Sequence, residues 1–176
     1  TNEGNAKGAT AGVVYSNLLA GTYFAVVRQI EGQGTYSLSA NFAAIEELDS
    51  EPNDTPHIAV PMSLNGEMEG HIGFHGHLFT DQYDFYQITA EQEGSLDLTV
   101  FPDGGLRTRL ELWDTNKNNV LAAKDDKGKG ESEKIVYADL AAGTYYILVR
   151  KTDGYGSYIL TNLFTPNPFP NDPESN

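Results

Sequence analysis

Short runs in which apolar and polar residues alternate, set between glycine-, asparagine- and proline-rich turns, dominate this chain and argue for strands and against helices. The runs predict strands over 12–18, 22–28, 35–42, 68–73, 83–89, 95–100, 109–114, 120–123, 133–138, 144–151 and 156–162. In 144–151 the alternation places Tyr145, Ile147 and Val149 on one face and Tyr146, Leu148 and Arg150 on the other. Apolar residues on both faces mark that strand as central in its sheet. Many short antiparallel strands of this kind predict an all-β, two-sheet sandwich.

The pattern also repeats. LAGTYFAVVRQIEGQGTYSLSANF at 19–42 aligns with AAGTYYILVRKTDGYGSYILTNLF at 141–164 at a constant offset of 122 residues. The two share Gly21/Gly143, Thr22/Thr144, Tyr23/Tyr145, Arg28/Arg150, Gly32/Gly154, Gly34/Gly156 and Tyr36/Tyr158. The match extends back through Val14-Tyr15 against Val136-Tyr137. Residues 1–43 therefore read as the last part of a sister repeat, 44–50 as a linker, 51–164 as the complete domain, and 165–176 as a Pro/Asn-rich tail. A three-strand segment by itself has open edges that need cover. Three arrangements provide it: packing on the complete domain, pairing with another chain by self-association through residues 1–43, or missing strands that were cleaved off or lie on a separate fragment.

Composition narrows the function classes. Eleven Lys and Arg against 25 Asp and Glu give a net charge of −14, with 20 of the acids beyond residue 50. A chain this acidic repels phosphate backbones, which argues against nucleic acid as a partner. The carboxylates suit an environment rich in divalent cations, although most of them also serve as an ordinary solvated surface. With no cysteine there is no disulfide framework, thiolate nucleophile or cysteine zinc site. No apolar run approaches the length of a membrane-spanning helix, so membrane insertion is not expected, and no signal-peptide pattern opens the chain. The chain reads as a piece excised from something longer. No GxSxG elbow, HExxH helix or phosphate loop is present, and the chain reads as non-catalytic.

Oxygen donors concentrate in Asp49-Ser50-Glu51-Pro52-Asn53-Asp54, just before the complete domain. In an extended chain Asp49, Glu51 and Asn53 point to one side, and Pro52 biases Glu51 toward that form. Asp81 and Asp84 add a second acidic pair ahead of a strand. Two such loops together offer the all-oxygen shell that Ca²⁺ takes; turn capping by Asn53-Asp54 and a solvated Asp81 are the alternative. His71, His75 and His77 read as surface or turn histidines, and the loop from Asp125 to Gly130 as a solvated hairpin. Trp113 and Tyr146 offer aromatic surface for a peptide or glycan if they are exposed, and core or sheet cover if they are not.

The EPND segment, the Asp81-Gln82-Tyr83-Asp84-Phe85-Tyr86 stretch, the LELWD strand at 110–114 and the AGTYYILV strand resemble the bacterial pre-peptidase C-terminal domain, in order and spacing, over 49–164. That family includes the collagen-binding domains of clostridial collagenases. The resemblance implies a jelly-roll-like sandwich attached to secreted or cell-surface proteins. It also implies calcium held between the linker and an Asp-x-x-Asp loop, here by Asp49, Glu51, Asn53, Asp54, Asp81 and Asp84. Asp49 stands where the family often has the longer Glu. Two roles remain open: an adhesion module for extracellular protein, peptide or glycan, and a structural spacer in an extracellular assembly. A removable maturation appendage of a protease follows from the resemblance alone.

Overall fold

Gly94–Pro102 shows most plainly how the sequence builds its sheets: Leu96, Leu98 and Val100 are buried while the residues between them are partly solvated. In the computed structural model, which describes residues 9–15, 18, 21–43, 50–73 and 81–168, nine strands form. They are β1 (Val60–Pro61), β2 (Glu67–Ile72), β3 (Tyr83–Ala90), β4 (Gly94–Pro102), β5 (Arg107–Trp113), β6 (Val120–Lys124), β7 (Glu133–Leu140), β8 (Gly143–Asp153) and β9 (Gly156–Pro166). One sheet has the order β1-β3-β8-β5-β6 and the other β2-β9-β4-β7. Every connection except β5–β6 passes from one sheet to the other, which is the strand order of a jelly roll.

The space between the sheets is filled by Ile72, Tyr86, Ile88, Leu96, Leu98, Val100, Leu110, Leu112, Ile147, Val149, Leu160 and their neighbours. Strand β8 is central, as its two apolar faces predict, with β3 and β5 on either side. Tyr145, Ile147 and Val149 enter the main core. Tyr146 and Leu148 join Phe85 in a second cluster on the outer face of the five-stranded sheet, where Ala59, Tyr83 and Trp113 pack on it. This outer cluster matters for the site, because the segment preceding β1 lies against it.

The chain divides into two units, Thr1–Glu46 and Glu47–Asn176, and all nine strands lie in the second. The strands expected over 12–18, 22–28 and 35–42 are not formed among the described residues of the first unit. Their apolar side chains, Tyr23, Phe24, Val26, Tyr36, Leu38 and Phe42 among them, are exposed. The physical reason lies in the repeat. The matching residues of the second unit become β8 and β9 only because β3 and β5 flank one and β2 and β4 the other. Strand β1 was not expected from the pattern: two residues, one of them proline, carry no alternation. Most of the linker and the tail beyond Pro168 lie outside the described residues.

Candidate metal centre

The end of the sandwich at which β2 stops and β3 starts gathers the acidic residues. Carboxylate oxygens of Glu51, Asp81 and Asp84 lie within 4.8 Å of one another, with both aspartates buried and Glu51 half-buried. Each arrives from a different direction. Asp84 is the second residue of β3, held in register against Val149 of β8. Asp81 precedes β3, and its Oδ2 accepts the backbone N–H of Gly73 at 2.9 Å, tying it to the end of β2. Glu51 comes from the segment ahead of β1, where its Oε2 accepts the N–H of Asn53 at 3.1 Å. Asn53 is itself fully buried, and its carbonyl accepts the N–H of Phe85 at 2.9 Å, docking the segment along β3.

The cluster reaches into the core through two tyrosines. The Tyr158 hydroxyl on β9 donates to Asp84 Oδ2 and lies 2.7 Å from the Tyr86 hydroxyl on β3. Both rings are buried between the sheets. Room for them depends on Gly70 of β2, which faces Tyr158 across the ladder. A Cβ at position 70 would lie 2.4 Å from the Tyr158 ring carbon and hydroxyl and 2.7 Å from the Tyr86 hydroxyl. One carboxylate is thus positioned by a hydrogen-bond chain that spans both sheets. Tyr158→Phe removes the donor to Asp84 and should cost about 1–3 kcal/mol in urea unfolding, since the bond is buried and charge-assisted.

When all three are ionised, carboxylates at this separation repel one another by about 3–4 kcal/mol per pair at an effective dielectric constant near 20. A cation offsets that repulsion. The donors are hard oxygens, with no sulfur or imidazole in the group, which fits Ca²⁺ better than zinc or copper.

Not every expected residue converges here. Asp49 lies outside the described residues. Asp54 turns instead toward a concavity on the outer sheet face, lined also by Tyr83, Phe85, Trp113 and Arg150. Partial burial raises its carboxyl pKa above the ordinary value. The segment from Glu51 to Asp54 is not a strand, so simple alternation does not set which side chains share a side, and the Glu51–Pro52 peptide bond is cis. His71, expected at the surface or in a turn, is buried on β2, where both faces of the strand end are covered. His75 and His77 lie outside the described residues. In the loop after β6, Asp125 pairs with Arg107 at 2.9 Å, and Asp126 lies near Lys127 and Lys124 at 3.6 and 3.9 Å.

On the outer face, Trp113 packs edge-on against Phe85 with ring centroids 5.8 Å apart, and its Nε1 donates to Glu111 at 2.8 Å. Tyr146 is buried, with the Lys117 ammonium 4.7 Å from its ring centre. Trp113 therefore keeps a partly accessible face, whereas Tyr146 serves as sheet cover.

Residues 82–151 match the family model of the bacterial pre-peptidase C-terminal domain. Over those residues the sandwich is similar to that family. Among solved structures, the pre-peptidase C-terminal domain of a collagenase from Bacillus anthracis is 22% identical, with a TM-score of 0.49, covering 65% of this chain and 99% of that one. A periplasmic inhibitor of g-type lysozyme from Aeromonas hydrophila is 14% identical, with a TM-score of 0.38, covering 61% and 96%. A cleaved adhesin domain of Lys-gingipain from Porphyromonas gingivalis is 13% identical, with a TM-score of 0.36, covering 56% and 73%. No curated protein matches the chain in sequence. Tyr86, Tyr158, Gly70 and Gly73 complete the acidic end of the sandwich; Tyr86 lies in the stretch that carries the resemblance and Tyr158 is the partner of Tyr36 in the repeat, whereas neither glycine was marked as a site residue.

Proposed function

We propose that this sandwich is a pre-peptidase C-terminal domain, a non-catalytic, calcium-binding module of a secreted or cell-surface protein that attaches it to extracellular protein, peptide or glycan. The observation that carries the calcium reading is the meeting of Glu51, from the segment before β1, with Asp81 and Asp84 at the start of β3. An ion held there supplies charge neutralisation and a mechanical tie between the incoming segment and the sandwich. Its binding free energy adds to folding stability so long as the unfolded chain binds it weakly. That tie takes the place that a disulfide holds in other extracellular modules, and this chain has no cysteine.

The binding reading is supported by the outer face of the five-stranded sheet. There Trp113, Tyr83, Asp54 and Arg150 surround a shallow concavity on a rigid scaffold. Trp113 is fixed in orientation by Phe85 and Glu111, so stacking on it costs little side-chain entropy. Probing peptide and glycan arrays with the intact chain and with Trp113→Ala tests this: capture that falls at least tenfold in the variant supports the reading. Capture that is absent, or indifferent to the substitution, removes it.

A structural spacer is the second reading, favoured by the internal repeat. It predicts an assembly that persists on dilution and is lost when residues 1–43 are deleted.

A further inference from the structure

Cations are scarce on this acidic chain, so a cation without a counter-charge stands out. Among the described residues the ion pairs take up Arg107, Arg109, Lys124, Lys127, Lys129 and Lys134. Arg150 joins none of them. It is exposed on β8, with its guanidinium 5.5 Å from the ring centre of Tyr83. It also stands directly opposite Arg109 of β5 in the ladder, and like charges so placed destabilise a sheet. The nearest carboxylate on β5 relieves only one of the two: Glu111 accepts from Arg109 Nε through Oε1 and from Trp113 Nε1 through Oε2. Both its oxygens are engaged away from Arg150, which is left with a free charge on the outer face of the five-stranded sheet.

Arg150 lines the shallow concavity on that face with Asp54, Pro56, Tyr83 and Trp113. The concavity holds about 380 Å³, at the small end of ligand sites, which run from ~300 to ~1,000 Å³. Its floor is made by Phe85 of β3, Leu148 of β8 and Glu111 of β5, all strands with a neighbour on either side. Backbone groups there are taken up by the ladders, so the face offers no strand edge to an extended peptide. Recognition falls to side chains: two aromatic rings, one carboxylate and one guanidinium. Aromatic surface suits the C–H face of a sugar ring. Asp54 can accept hydrogen bonds from hydroxyls, and the planar guanidinium matches a carboxylate with two parallel N–H···O bonds. Asp54 repels a ligand's negative charge, which fixes the end of the sugar that faces Arg150.

We propose that this concavity takes a sugar that carries a carboxylate, a uronic or sialic acid at the end of a glycan, and that Arg150 selects it by its charge. The inference rests on the reading of the outer face as a ligand-binding surface and names the class of ligand. A single acidic sugar is indicated in place of a polyanion. The net charge of −14 repels an extended run of negative groups, whereas one carboxylate meets the local Arg109–Arg150 pair. The ligand's carboxylate then supplies the counter-charge that Arg150 lacks. Arg109, held by Glu111, adds to the local positive potential without touching the sugar. Packing of the Arg150 guanidinium on Tyr83 orients it before the ligand arrives, so little side-chain freedom is lost on binding.

The test is an array that carries uronic-acid-ended and sialic-acid-ended oligosaccharides, the methyl ester of each, and carboxylate-ended peptides. It is probed in calcium with the intact chain, Arg150→Gln and Trp113→Ala. The ester keeps the shape of the sugar and removes its charge, so the acid-to-ester ratio of the intact chain reads charge selection without any variant. The proposal expects capture of at least one class of acid about tenfold or more above its ester. Arg150→Gln should reduce that ratio to near one while its melting temperature stays no lower than the parent's, because the opposed pair is relieved. Acids and esters captured alike, both lost in Trp113→Ala, would overturn the charge selection and leave the binding reading of the face standing. A preference for acids that Arg150→Gln leaves intact would also overturn it, as would capture of the peptides and of no glycan. Capture of nothing would overturn it together with the binding reading.

Discussion

Replacing Gly70 with alanine should destabilise the complete domain by at least about 3 kcal/mol, a fall in Tm of roughly 10 °C for a unit of this size. The added methyl would sit 2.4 Å from the Tyr158 ring carbon and hydroxyl and 2.7 Å from the Tyr86 hydroxyl. Neither tyrosine can retreat easily, because both are buried between the sheets and their hydroxyls are joined at 2.7 Å. Moving Tyr158 also breaks its bond to Asp84, so the packing defect reaches the carboxylate cluster. Urea and thermal unfolding read the loss directly. A change below 1 kcal/mol would mean that the tyrosine pair is not packed on the bare backbone of β2 as described.

The second large effect changes sign with calcium. In calcium, Glu51→Gln and Asp84→Asn should weaken ion affinity roughly 100-fold or more, since affinity at such sites follows the count of charged ligands. In chelator the same variants should be at least as stable as the parent, because each removes one of three mutually repelling carboxylates. Melting temperatures measured with calcium and with chelator therefore cross. Parallel curves, with the variants less stable by the same amount in both conditions, would mean that the carboxylates serve folding and not a cation.

These effects show which parts of the molecule a sequence can disclose. The alternation in Gly94–Pro102 and the doubly apolar run of Gly143–Asp153 are local signals, and both became strands in the expected places. The same alternation failed over 22–28 and 35–42, because a strand also needs neighbours, and the pattern says nothing of whether they are present. The acidic cluster was legible in part. Glu51, Asp81 and Asp84 meet, since the segment that carries Glu51 docks along β3, which holds Asp84 and closely follows Asp81. Asp54 does not join them: without regular strand geometry in that segment, adjacency to Asn53 does not decide which way its side chain turns. Gly70 and Tyr86 were invisible as site residues because their roles exist only once β2, β3 and β9 are brought together. Tyr146 read as exposed surface or as cover, and the choice between them rested on residues from other segments, Phe85 of the buried outer cluster and Lys117 over the ring among them.

The account turns on whether the acidic end of the sandwich holds a cation, and calorimetric titration of calcium into the chelator-stripped intact chain measures that directly. Glu51→Gln and Asp84→Asn are titrated in parallel, with Asp126→Asn in the ion-paired loop as control. The account predicts saturable binding in the parent and the control and a loss of roughly 100-fold or more in both site variants. Absence of binding in the parent, or binding that both site substitutions leave intact, would contradict it.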